Sequence, residues 1–126
     1  MKHLLIIDDE EDFAAFVQDV AEMQGYAVAS ANSVAEAKEA YEKFQPDVIL
    51  LDMVMPDADG LKFLEWMKNI SLRPRVIVIS GFHQVYTSMA SKFGEAYGLG
   101  PIQMLTKPIS IGNLRRALEE ASQAVA

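Results

Sequence analysis

The sequence predicts one α/β domain in three layers, a parallel five-stranded sheet between helices. Short apolar runs recur between stretches of helical period. Three of those runs end in a polar residue of one chemical set. Leu4-Leu5-Ile6-Ile7 leads into Asp8-Asp9, Val48-Ile49-Leu50-Leu51 into Asp52, and Val76-Ile77-Val78-Ile79 into Ser80. A fourth, weaker run over 102–105 leads into Thr106-Lys107-Pro108. Continuous apolar runs bounded by turn signals fit strands buried on both faces, as parallel strands are.

The first helix is marked by Phe13, Phe16, Val17 and Val20, and Gly25 is placed to stop it. A strand is expected over 26–31. Ser33-Val34-Ala35-Glu36 has the form of a capping box, and Val34, Ala37, Tyr41 and Phe44 continue as one helical face. Pro46-Asp47 leads into the next strand, and Leu61, Leu64 and Met67 outline a third helix after Gly60. A fourth helix is expected over 83–97, with Tyr86, Met89, Ala90 and Phe93 on one side. The last is opened by Ser110 and carries Ile111, Leu114, Leu118 and Ala121. Five strands thus alternate with five helices, joined by right-handed crossovers. Periodicity does not order the strands. The convergence of polar strand ends favours the flavodoxin-like order 2-1-3-4-5, which puts strands 1, 3 and 4 side by side.

At 126 residues the chain fits one domain, 1–126, with a core large enough to need no staple. It has no cysteine, which agrees with a reducing compartment. No segment approaches the ~20 apolar residues of a membrane span, and a soluble cytoplasmic protein is expected. The net charge of −7 argues against direct nucleic-acid binding, since phosphate contacts need a basic surface.

In a parallel sheet, function gathers outside the carboxyl ends of the strands. Asp8, Asp9 and Asp52 would meet there, and three neighbouring carboxylates must hold a proton or bind a cation. Mg²⁺ suits them, because it takes hard oxygen ligands. A cation beside Asp52 would neutralise an arriving phosphoryl group. Lys107 would add a second positive charge, Ser80 a hydroxyl donor, and Gly81 an open backbone N–H. Asp52 is the best nucleophile, since it closes the most apolar strand.

These residues resemble the receiver domain of two-component response regulators, of the chemotaxis-regulator kind, over essentially the whole chain. The matching pieces are Asp8-Asp9-Glu10, the segment from Leu51-Asp52-Met53-Val54 through Met55-Pro56-Asp57-Ala58-Asp59-Gly60, Ile79-Ser80-Gly81, and Thr106-Lys107-Pro108. The resemblance implies that Asp52 accepts a phosphoryl group from a histidine kinase or phosphotransfer protein. It implies Mg²⁺ held by Asp9, Asp52 and the backbone carbonyl of Val54, with Asp8 acting through water. Ser80 stands for the family's switch hydroxyl, and Lys107 for its lysine, aimed by a cis bond to Pro108. The implied partners are the phosphodonor and a downstream target or fused output domain, with a homodimer through the fourth- and fifth-helix face. No enzyme activity is implied beyond self-phosphorylation and slow dephosphorylation.

Each residue also has a plainer role. Asp8, Asp9 and Glu10 would suit the N-terminal dipole of the first helix, and Asp57 and Asp59 are expected as turn and cap residues. The methionines read as filler, and His3 and His83 lack metal-ligand company. Two departures from the family stand out. Met104 occupies a position where the family commonly has Tyr or Phe, and the stretch between Ser80 and Lys107 is longer than usual around 93–101.

Three other functions fit the sequence less well. A haloacid-dehalogenase-like Mg²⁺ phosphatase needs a second acid two residues beyond its nucleophile, where this chain has Val54. A flavodoxin-like electron carrier needs a first loop that cradles phosphate, which residues 8–12 would repel. A receiver used only for docking would have lost its acceptor or lysine, and both are present.

Overall fold

The computed structural model describes residues 2–53, 55, 59–70, 74–81 and 102–124. Five parallel strands form one sheet: β1 (His3–Ile7), β2 (Ala27–Ala31), β3 (Val48–Asp52), β4 (Arg75–Ser80) and β5 (Gln103–Thr106). Their order is β2-β1-β3-β4-β5, as the polar strand ends predict. The helices among the described residues are α1 (Glu11–Met23), α2 (Val34–Phe44), α3 (Asp59–Met67) and the C-terminal helix (Ile111–Ala124). The helix expected over 83–97, and the long stretch around 93–101, lie outside the described residues.

Successive side chains of a strand point to opposite faces, so each apolar run feeds two cores. Leu5, Ile7, Ile49, Leu51, Val76 and Val78 pack under α2 and α3 with Tyr41, Phe63, Leu64 and Met67. Leu4, Ile6, Val48, Leu50, Ile77 and Ile79 pack under α1 and the C-terminal helix with Val17, Leu114 and Leu118. All five residues of β3 are buried, as befits the central strand. Each such Leu or Ile contributes about 1.5–3 kcal/mol by leaving water. The expected run over 102–105 is weaker because β5 lies at the sheet edge, where Gln103, Met104 and Leu105 are only half-buried.

The helix ends follow their sequence signals. Gly25 has φ 90°, and the N–H groups of Gly25 and Tyr26 donate to the carbonyls of Glu22 and Ala21, which closes α1 in a Schellman turn. Tyr26 therefore ends this turn instead of opening β2. Its hydroxyl donates to the Leu118 carbonyl at 2.6 Å, tying the turn to the C-terminal helix. Ser33 Oγ accepts from the Glu36 N–H at 3.2 Å, and Ser110 Oγ accepts from the Asn113 N–H at 3.1 Å.

Candidate functional site: a carboxylate cluster at the strand ends

The ladder places the polar residues at one edge. Asp52 and Ser80 are the last residues of β3 and β4, inside the strands because Asp52 still aligns with Ile79 and Ser80 with Thr106. Three backbone bonds extend the order beyond the strands. The Asp8 N–H donates to Ala31 O at 3.0 Å, Met53 N–H to Ile79 O at 2.8 Å, and Lys107 N–H to Ser80 O at 2.8 Å. Asp8, Asp52 and Lys107 are thus held by backbone before any side chain contributes.

Gly60 fixes the far wall. It lies within α3, not ahead of it, and a Cβ there would meet Met53 Cα at 2.8 Å and the Asp52 carbonyl oxygen at 2.9 Å. Only glycine lets the helix approach the end of β3 so closely.

Asp8, Asp9 and Asp52 can each offer a carboxylate oxygen such that all lie within 4.8 Å of one another. Asp8 and Asp52 are buried, while Asp9 is exposed. Lys107 reaches in from the end of β5. Its Nζ lies 3.3 Å from Asp52 Oδ2 and 3.9 Å from Asp8 Oδ2. The Lys107–Pro108 bond is cis, as the resemblance implies. Ser80 is buried at the same edge, and Gly81 follows it. Met104 is half-buried and packs against the core on the α2–α3 face. Val54 lies outside the described residues, as do Asp57 and Phe82.

Among the described residues, the electrostatics are those of an acidic hole with Lys107 at its rim. Burial drives the Asp8 carboxyl up to about 7 from an ordinary value of 3.8. The Glu10 N–H, donating to Asp8 Oδ1 at 2.8 Å, opposes that rise. The Asp52 charge adds to it, the Lys107 charge opposes it, and a protonated Asp8 can donate to Asp52. Asp8 Oδ2 is buried and has no hydrogen-bond partner among the described residues. An orphaned buried oxygen, a carboxyl pushed toward neutrality and a set of hard oxygen donors all fit a divalent cation such as Mg²⁺.

Two neighbours were not legible in the sequence as site residues. Glu10 Oε2 lies 3.9 Å from Lys107 Nζ, and the Phe13 ring centroid lies 4.5 Å from the same nitrogen. The helical spacing of Phe13 marks only a face. That its ring meets Lys107 depends on how α1 packs against β1, β2 and the C-terminal helix, which local sequence does not encode.

The comparisons agree with this geometry. The response regulator receiver domain model matches residues 4–119. The sporulation initiation phosphotransferase F of Bacillus subtilis is 30% identical over 117 residues, covering 93% of this chain and 90% of that protein. The regulatory protein AtoC of Escherichia coli is 28% identical over 98% of this chain, which spans only 26% of AtoC. Among solved structures, the beryllofluoride-activated NtrC4 receiver domain dimer superimposes with a TM-score of 0.82 at 29% identity, with both chains fully covered. The matched span takes in all five strands but for His3, together with all the strand-end residues above, and the chain belongs to the response regulator receiver domain family.

Proposed function

We propose that this chain is a signalling switch whose Asp52 is the phosphoacceptor. The observation that carries it is Asp52 itself, buried at the end of the central strand with Lys107 Nζ 3.3 Å away and two more carboxylates beside it. In the transfer, a carboxylate oxygen of Asp52 attacks phosphorus. A new P–O bond forms, the P–N bond of a phosphohistidine donor breaks, and its electron pair returns to the imidazole. A small acyl phosphate donor would release its carboxylate in the same way.

Asp9, Asp52 and the Val54 carbonyl would hold Mg²⁺, with Asp8 acting through water. When bound, the cation supplies the positive charge that a phosphoryl group needs beside three carboxylates. The residues do the rest. Lys107 pairs with Asp52 before transfer and with a phosphoryl oxygen after it. Ser80 and the Gly81 N–H offer donors to the remaining oxygens. Turnover of other substrates is not part of this role, and the chain works in the cytoplasm.

The phosphodonor is a histidine kinase or phosphotransfer protein, and the output is a target protein or a fused domain. AtoC, with receiver-like sequence over a quarter of its length, and the NtrC4 receiver dimer support an output domain and a homodimer as the forms such partners take. Because Met104 cannot swing as a rigid ring, the change on phosphorylation is expected to be carried more by the backbone around Ser80 to His83 and by the fourth helix expected over 83–97, which lies outside the described residues. A beryllofluoride complex should therefore shift most there, and largest shifts on α1 and α2 would refute this output face.

Borohydride reduction of an acyl phosphate converts its aspartate to homoserine. After treatment with acetyl phosphate and Mg²⁺, peptide mapping should find homoserine at position 52. Homoserine at position 8 or 9 instead would refute the assignment.

A further inference from the structure

Lys107 is the single flexible cation that the proposed transfer relies on, and lysine holds a geometry poorly when unaided. Its neighbours differ in kind. Asp52 and Asp8 are buried carboxylates that pull the ammonium inward. Glu10 is an exposed carboxylate, screened by water and worth little as a restraint. Phe13 presents its ring, with the centroid 4.5 Å from Nζ. The ring is itself fixed, since Phe13 packs against the core on the α1 face and lies 6.1 Å from the Phe16 ring.

We infer that Phe13 is a positioning residue for Lys107, its ring holding the ammonium at the Asp8–Asp52 edge of the site. The chemistry suits a lysine that must change partners. A ring face attracts a cation without offering an oxygen. It restrains the ammonium while leaving its N–H donors available to a phosphoryl oxygen, which a carboxylate in the same place would not do. An aliphatic side chain there would leave the lysine free to swing toward Glu10 and solvent. This inference rests on the assignment of Asp52 as phosphoacceptor.

The test combines a spectroscopic and a kinetic readout on the whole chain. Without any phosphodonor, the Lys107 ε-methylene signal, assigned with Lys107→Arg, should carry an upfield ring-current shift. The shift should persist in Phe13→Tyr and vanish in Phe13→Leu. With acetyl phosphate at saturating Mg²⁺, Phe13→Leu should slow modification of Asp52 by about two- to five-fold, as expected for a partly exposed cation–π contact. Phe13→Tyr should restore the parent rate, and Phe13→Leu should cause no further loss in a Lys107→Ala background. A lysine signal unchanged in Phe13→Leu, or an equal loss with and without Lys107, would overturn the role of Phe13 alone. No modification of the parent protein would overturn the acceptor assignment and this role together.

Discussion

Lys107 Nζ stands 3.3 Å from Asp52 Oδ2, an ion pair that joins the end of β5 to the end of β3 across β4. The pair is an internal substitute for the charge balance that phosphorylation would change. Asp52 keeps its cation close, and Lys107 stays within reach of any group added to that carboxylate.

Removing Lys107 should separate transfer from metal binding. Lys107→Ala takes a positive charge away from the cluster, so Mg²⁺ affinity should hold or rise slightly. Transfer from acetyl phosphate should slow by about ten- to a hundred-fold, the scale of one lost charge-stabilising donor. Mg²⁺ titration alongside the rate measurement checks both. A lost Mg²⁺ affinity with an unchanged rate would reverse the roles assigned here.

Asp8 should make the protein pH-sensitive near neutrality. Its folded value, about 7, lies above the ordinary 3.8, so between those values the folded state binds more protons than the unfolded one. Stability without divalent cation is therefore greatest, as regards this group, below the ordinary value and falls as pH rises toward 7. The loss should exceed about 1 kcal/mol, and Asp8→Asn should abolish that slope. Mg²⁺ competes with the proton, so its affinity should weaken as pH falls below 7. Denaturant melts at pH 5 and pH 8 with and without Mg²⁺ check the sign. Rising stability over that range in cation-free parent, attributable to Asp8, would contradict it.

Gly60→Ala should distort the acceptor strand. The new Cβ would meet Met53 Cα at 2.8 Å and Asp52 O at 2.9 Å, both backbone atoms that cannot swing aside. Overpacking of this kind costs about 1–3 kcal/mol, more than alanine returns by helix preference in a first turn. Chemical denaturation should show the loss, and transfer to Asp52 should slow. A variant as stable and as fast as the parent would mean that α3 shifts without constraint.

The phosphorylated state should be long-lived. Hydrolysis needs a water held in line, and the residues two positions beyond Asp52 and Ser80 are Val54 and Phe82, both apolar. Val54→Asn and Phe82→Glu should hasten decay of the Asp52 phosphate. Fast decay in the parent, or none of either variant's acceleration, would show that these side chains do not set the lifetime.

Much of this was legible in the chain because the sheet is buried on both faces. The runs ending in Asp8, Asp52 and Ser80 carry both the strand positions and the site, since parallel strands put their carboxyl ends together. Where the signal failed, the cause was a local helix cap at Tyr26 and tertiary packing elsewhere. Tyr26 has the side chain of a strand residue, but Gly25 at φ 90° makes it the end of a helix turn anchored on Leu118. Gly60 reads as a helix boundary, yet α3 begins one residue earlier and brings Gly60 against the Asp52 and Met53 backbone. Phe13 and Glu10 reach Lys107 from the start of α1, a juxtaposition no local pattern contains.

Intact mass spectrometry after incubation with acetyl phosphate and Mg²⁺ decides whether Asp52 alone takes the phosphoryl group. The parent should gain one phosphoryl group and Asp52→Asn none, with both proteins equally folded. A stoichiometric gain on Asp52→Asn, or no gain on the parent, would rule Asp52 out as the sole acceptor.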